Sequence, residues 1–351
     1  MSDGNGPVAS IEDVAKLAGV SIATVSRSLR GLPEVAPGTR DRVLEAARAL
    51  DYVASPFAAR LASGRTTTVA VVVPFVNRWF FGAILGAVEE RLGTAGYDLL
   101  LYNLRDAAGR QRFFEVLPVR KRVDAVIVVS LPLAEAETEA LRSLGVPVGV
   151  IGIEMAEFHS VRIDDVAGAE TAVRHLIELG HHRIGLIGGD TDDPMRFTPP
   201  LYRRNGYLNA LRSGDLDVDP ALETLGYFTV AGGEEAMRRL LERAEPPTAV
   251  FAESDEMAYG AIRAIRRSGR EVPGDIAVIG FDDHDCAELL DLSTIRQPVM
   301  AEGRALVEAV LAGLDGGAAI AAATVLPTEL VVRGSTDPSR SVYTPRPDPA
   351  P

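Results

Sequence analysis

Cysteine is almost missing from this chain: its 351 residues hold one, Cys286, which excludes an internal disulfide framework and any zinc site built on cysteines. Its expected role is that of a small buried apolar side chain. Long apolar runs are missing too. No stretch approaches about 18 uninterrupted apolar residues, and the start MSDGNGPVAS has neither the charged nor the apolar region of a secretion signal. A soluble, cytoplasmic protein with no membrane partner is therefore expected. Catalytic signatures are scarce as well. RIGLIGGD has neither G-x-G-x-x-G nor P-loop spacing and reads as a strand-to-turn junction; no G-x-S-x-G elbow or Cys-His nucleophile arrangement is present. His181 and His182 are adjacent, without metal-ligand spacing, and read as a cap on the preceding helix end. No enzyme activity, cofactor or metal is expected.

Positive charge is in deficit overall, at −13, but unevenly so. Residues 1–65 carry eight Arg or Lys against seven Asp or Glu, whereas the remainder has 28 against 42. An acidic body is repelled by phosphate, so any nucleic-acid contact belongs to the N-terminal segment.

What that segment does contain is a 20-residue pattern, IEDVAKLAGVSIATVSRSLR, over residues 11–30. Val14, Ala15 and Ala18 supply the inner face of a first helix, Gly19 the turn, Val20 the corner, and Val25 the anchor of a second helix capped by Ser21. This is a helix-turn-helix, and its second helix has the dimensions to enter a major groove. Arg27 is the candidate base reader, because a guanidinium bonds two guanine acceptors at once; Ile22 and Ala23 add apolar contacts. Ser21, Thr24 and Ser26 are short donors suited to phosphate. A third helix is expected at 38–50, entered through Pro37, with Val43, Leu44, Ala47, Leu50 and Tyr52 closing a small core. Residues 55–63, SPFAARLAS, open on an N-cap and a first-turn proline but are too short for a stable lone helix.

From Arg65 onward apolar strands alternate with helical patterns in two series, the mark of parallel sheets with crossover helices. Helices are expected near 82–95, 107–117, 135–144, 203–213, 233–243 and 256–267, and a strand near 224–229. Ligands of such folds sit outside the carboxyl ends of the strands, where Asp282 of GFDD offers a carboxylate to sugar hydroxyls and Trp79, Phe80 or Phe81 could cover a sugar face.

The blocks DVAKLAGVSIATVSRSL, GRTTTVAVVVP, AGYDLLL, HLIELGHHRIGLIGG, PTAVFAESDEMAYGAIRAI, VPGDIAVIGFDD and TIRQPV, in this order across residues 10–335, resemble the LacI family of bacterial transcription regulators. The resemblance implies an all-α helix-turn-helix headpiece plus an α/β two-lobed, periplasmic-binding-protein-like body with parallel sheets and three lobe crossings, near Asp165, Ser293 and Thr324. It implies a disordered N-terminus at 1–9, a DNA-binding headpiece at 10–54, a hinge at 55–65, an effector-binding and dimerisation body at 66–334, and a disordered tail at 335–351. The implied partners are a near-palindromic double-stranded operator, a sugar-like small molecule and a second copy in a homodimer. Arg30 joins the DNA-contacting set, Ala58 and Leu61 contact DNA from the hinge with Leu61 as the minor-groove wedge, and Arg203, Asp255 and Asp282 belong to the effector site. The implied function is repression of a catabolic or transport operon relieved by a carbohydrate-like effector; control by a corepressor or protein partner, and a two-lobed solute-binding protein, are the alternatives. Five positions depart from the family pattern: Ser28 for an apolar residue, Arg30 for Asn, Ala36 for Ser, Gly152 for Asp and Ser254 for Asn.

Overall fold

The computed structural model describes residues 9–29, 31–52, 65–316 and 322–340. They belong to two compact units, one up to Thr67 and one from Thr68.

The first unit is three helices, α1 (Ile11–Ala18), α2 (Ile22–Leu29) and α3 (Pro37–Ala49). Ser10 and Asp13 close a capping box on α1: the Asp13 carboxylate accepts from Ser10 N–H at 2.9 Å while Asp13 N–H donates to Ser10 Oγ. Gly19 ends the helix at φ +66°, a left-handed conformation that glycine adopts without a Cβ penalty. Ser21 Oγ accepts from Thr24 N–H at 3.2 Å and so caps α2. Ala36 contributes no side-chain cap to α3, which starts on Pro37. The core is small: Val14, Val25 and Val43 are fully buried, with Ala15, Ala46 and Ala47 between them. Leu44, expected in this stripe, stays only half-buried outside it, because the α3 face toward α1 and α2 runs through Val43, Ala46 and Ala47. Ser28 is buried where an apolar residue is usual, and its hydroxyl donates to Thr24 O at 2.8 Å one turn back. The polar atom is thereby satisfied within its own helix.

The second unit begins with β1 (Thr68–Val73), α4 (Trp79–Thr94), β2 (Asp98–Asn103), α5 (Ala107–Val116), β3 (Ala125–Val129), α6 (Glu135–Arg142), β4 (Val148–Ile151) and β5 (His159–Ile163). It continues with α7 (Asp165–Glu178), β6 (Ile184–Gly188), α8 (Pro199–Ser213), β7 (Glu223–Leu225), α9 (Val230–Leu241), β8 (Ala249–Ala252), α10 (Asp255–Arg267) and β9 (Ala277–Asp282). It ends with α11 (Cys286–Leu289), β10 (Ser293–Arg296), α12 (Val299–Leu314), β11 (Ala323–Leu326) and β12 (Glu329–Val331).

Two sheets result, ordered β11-β5-β4-β3-β1-β2 and β12-β10-β9-β8-β6-β7. Every pairing is parallel except β10 with β12. Continuous apolar strands such as TVAVVV and AVIVV are buried along their whole length, as strands covered by helices on both faces must be. The chain passes between lobes three times: from β5 into α7, from β10 into α12, which packs on β4, β5 and α4, and between β11 and β12. Two elements differ from their expected spans. α8 starts at Pro199 because Pro199 and Pro200 occupy first-turn positions that need no N–H partner, and β7 stops at Leu225 because Tyr227 and Phe228 take positive φ in a turn. Cys286 is half-buried at the start of α11, not buried.

Candidate functional site

On the first unit, Ser21, Ile22, Ala23 and Arg27 are exposed along α2, and Thr24 and Ser26 are half-exposed. Ile22 is 46% exposed. The hydroxyls of Ser21 and Thr24 lie 2.9 Å apart, so both also serve the helix cap. Arg30, Ala58 and Leu61 lie outside the described residues.

On the second unit, the carboxyl ends of both sheets face a narrow cleft with a cavity volume of about 40 Å³, room for a few water molecules in this lobe arrangement. Arg203, on α8, is its electrostatic centre and only 5% exposed. Its Nε donates to Asp165 Oδ1 at 2.8 Å, and its Nη1 to the Glu253 carbonyl at 2.5 Å and to Asp282 Oδ1 at 3.4 Å. The Phe281 ring lies under the guanidinium at 3.7 Å. Asp282 ends β9 at φ +123°, a strained value for a residue with a Cβ, and Gln297 Nε2 donates to its Oδ1 at 2.6 Å. The crossing segment between β10 and α12 thus holds the end of β9.

Burial raises the affinity of the acids here for protons. It pushes the Asp282 and Asp165 carboxyls upward, with Arg203 partly offsetting both, and takes Glu253 and Glu302 up to about 8. For Arg203 burial works against the charge, but Asp165 and Asp282 outweigh it and keep the guanidinium protonated. The Gly-Gly of RIGLIGG owes its presence to packing: a Cβ on Gly188 would stand 3.0 Å from Glu253 Oε1, and one on Gly189 would stand 2.2 Å from the Phe228 ring. Gly189 N–H donates to Glu253 Oε2 at 2.8 Å.

Aromatic walls complete the cleft. Phe80 and Phe81 from α4 face Phe197 and Phe228 from the other lobe, with Phe81 and Phe197 centroids 6.1 Å apart. Phe81 is fully buried, so it serves the core and the cleft wall together.

Two residues expected at the cleft are engaged elsewhere in this structure. Asp255 does not line the cleft: its Oδ1 accepts from Thr294 Oγ1 at 2.6 Å and its Oδ2 from His284 N–H at 2.8 Å, so both oxygens are used to tie α10 to β9 and β10. Trp79 packs on His284 at 5.1 Å and lines, with Arg296 and Arg304, a neighbouring groove that shares Arg78, Asp282 and Gln297 with the cleft. The cap on the preceding helix end is made by the backbone of His181, whose N–H donates to Leu176 O at 3.1 Å and closes α7, while its ring Nδ1 meets Thr248 Oγ1 at 3.1 Å. Residues that sequence reasoning passed over are Asp165, Phe197, Phe228, Gln297 and Glu302, which line the cleft. Gln297 lay within the block TIRQPV; the others carry no local signal. No helix among the described residues is long and apolar enough to cross a membrane.

Comparison with known proteins places these observations in context. A family model described as "Bacterial regulatory proteins, lacI family" matches residues 10–55, and one described as "Periplasmic binding protein-like domain" matches residues 173–336. The HTH-type transcriptional repressor CytR of Escherichia coli (strain K12) is 36% identical over 334 residues, covering 93% of this chain and 96% of its own. Among solved structures, the transcriptional regulator CelR–cellobiose complex is 34% identical, with a TM-score of 0.69 over 93% of this chain and 99% of that one. The lac repressor dimer bound to operator and the anti-inducer ONPF is 26% identical, with a TM-score of 0.83 over the same shares.

Proposed function

Because the chain belongs to the lacI family of bacterial regulatory proteins, we propose that it is a cytoplasmic repressor of a catabolic or transport operon, released from its operator by a small carbohydrate-like effector. It is a sequence-specific DNA-binding regulator rather than an enzyme. Residues 10–54 form the DNA-binding headpiece, 55–65 the hinge and 66–334 the effector-binding and dimerisation body, acting as a homodimer on a near-palindromic site. The observation that carries the reading is Arg203, held among Asp165, Glu253 and Asp282 at the mouths of strands and facing aromatic walls. Carboxylates and a guanidinium fixed in this way match vicinal hydroxyls, and phenyl rings match the apolar face of a sugar. A cellobiose complex and an ONPF complex among the similar structures support the same class of ligand.

Exposure of Ile22, Ala23 and Arg27 supports their reading as the base-contacting set, with Ser21, Thr24 and Ser26 on phosphates. Arg30, Ala58 and Leu61 extend that set on the strength of the sequence. An effector that prefers one lobe arrangement shifts operator affinity by its differential binding, typically 5- to 150-fold for a coupling of about 1–3 kcal/mol.

The test has two arms. Operator selection with the parent and with Arg27→Ala is expected to show a loss of about 1–3 kcal/mol and relaxed preference at one base pair per half-site; unchanged preference removes Arg27 from the base readers. A thermal-shift screen against sugars is expected to identify an effector, and Arg203→Ala to abolish operator release by it. Normal release by that variant would rule out this cleft as the effector site.

A further inference from the structure

Glu302 stands in the first turn of α12, on the lobe opposite Arg203, and lines the cleft while being only 1% exposed. Its Oε1 has no hydrogen-bond partner among the described residues. A buried carboxyl oxygen left unpaired lowers stability, so the fold gains nothing from it in this state. Nor can the helix carry it away. Gly303, the next residue, lets α12 approach α4 so closely that a Cβ there would lie 2.7 Å from Ala87 Cβ. The charged groups nearest Glu302 are Asp165 from α7, Arg203 from α8 and Asp282 from β9; Arg203 directs its Nε to Asp165 and its Nη1 to Asp282 and the Glu253 carbonyl, Gln297 Nε2 bonds Asp282, and no hydrogen bond from any of them reaches Glu302 Oε1. A donor carried by a ligand would pair this oxygen.

Charge indicates what kind of donor. Besides Glu302 itself, the cleft lining includes three acids, Asp165, Glu256 and Asp282, against two cations, Arg78 and Arg203. Arg78 is spent on aromatic faces, 4.1 Å above the Phe75 ring and 5.6 Å from Phe228. Phenyl walls present negative ring faces, which attract an entering cation and not a neutral hydroxyl.

We propose that the effector is a polyhydroxylated molecule carrying a protonated amine, of the amino-sugar class, whose ammonium donates to Glu302 while its hydroxyls meet Arg203 and Asp282. This rests on the carbohydrate reading and sharpens it: Arg203 and Asp282 recognise the hydroxyls, and Glu302 selects the amine. The rise of the Glu302 carboxyl to about 8 through burial fits an acid that holds a proton until a cation replaces it.

The test pairs each sugar with its amine. The full chain is titrated calorimetrically, with thermal shift as a folding check, against glucose, galactose and mannose, their 2-amino counterparts and their N-acetyl counterparts, and against ethanolamine as a bare amine. Expected is at least tenfold tighter binding of one amino sugar than of its neutral and N-acetyl partners, a preference erased in Glu302→Gln and Glu302→Leu. Equal or tighter binding of the neutral partner, or a preference that survives in both variants, overturns the assignment of Glu302 and leaves the carbohydrate reading standing. Binding of ethanolamine by the parent but not by Glu302→Leu, with no sugar of any kind bound, overturns the carbohydrate reading and keeps Glu302 as an amine site. No binding by any of these probes overturns both.

Discussion

Asp255 and Asp282 are two buried aspartates about as far apart in function as in sequence, and the difference lies in which hydrogen bonds they make. Asp282 is held from one side by Arg203 and Gln297 and keeps a face on the cleft; Asp255 spends both oxygens on Thr294 and His284. A further sign of a packing role is Gly280, where a Cβ would stand 2.1 Å from Asp255 Oδ1. Asp255→Ala is therefore expected to destabilise the body by about 1–3 kcal/mol, through unpaired partners, while leaving effector affinity within about twofold. Urea unfolding beside calorimetry separates the two; lost affinity at unchanged stability would return Asp255 to the effector site. The strand-end placement of Asp282 was legible in GFDD because an apolar strand followed by acids stops at them. The role of Asp255 was not, because its partners come from β10 and from the turn after β9, 39 and 29 residues away respectively.

Strand ends β3 and β4 explain one departure from the family pattern. Gly152 takes φ +78°, and a Cβ there would stand 2.4 Å from Ser130 Oγ, so the carboxylate usual at this position is excluded on both backbone and steric grounds. Gly152→Ala should destabilise by more than about 1 kcal/mol, and Ser130→Ala should recover part of that loss, since Oγ is the nearest atom met. Thermal unfolding of the double-mutant cycle checks this; strict additivity would mean that the cost is backbone strain alone. Helix α4 and the turn after β9 make a second testable contact. Trp79, the single tryptophan of the chain, packs on His284, whose ring also meets Tyr259 and whose Nδ1 accepts from Cys286 N–H at 3.0 Å. Since Trp79 and His284 belong to different lobes, effector binding that alters lobe geometry should shift intrinsic fluorescence. A flat emission signal across a calorimetrically verified titration would show that this contact is rigid.

For the body as a whole, pH enters through buried acids. Glu253 and Glu302 are raised by burial from the usual 4.5 to about 8 in the folded state, so folding binds their protons more tightly than unfolding does. Their contribution is fully present below about 4.5 and is lost progressively as pH rises through the folded value near 8. Within that window the urea midpoint of the body is expected to fall with rising pH, and Glu302→Gln to flatten the slope. A slope unchanged in Glu302→Gln would mean that Glu302 is not the group losing its proton. Glu302 meets Asp165, Arg203 and Asp282 at the cleft because the chain crosses between the lobes three times.

The sequence by itself determined the headpiece helices, the parallel sheets and the cleft carboxylate Asp282, since each rests on short-range physics: helical and strand periodicity, a left-handed glycine, an N-cap hydroxyl, apolar strands ending in acids. Only the tertiary structure decided which side chains share the cleft. Asp165, Phe197, Phe228 and Glu302 come from separate elements and meet Arg203 solely because parallel strands deliver their carboxyl ends to one side and three crossings fold the lobes face to face. The same long-range packing withdrew Asp255 and Trp79, whose local surroundings gave no hint that Thr294 and His284 would claim them.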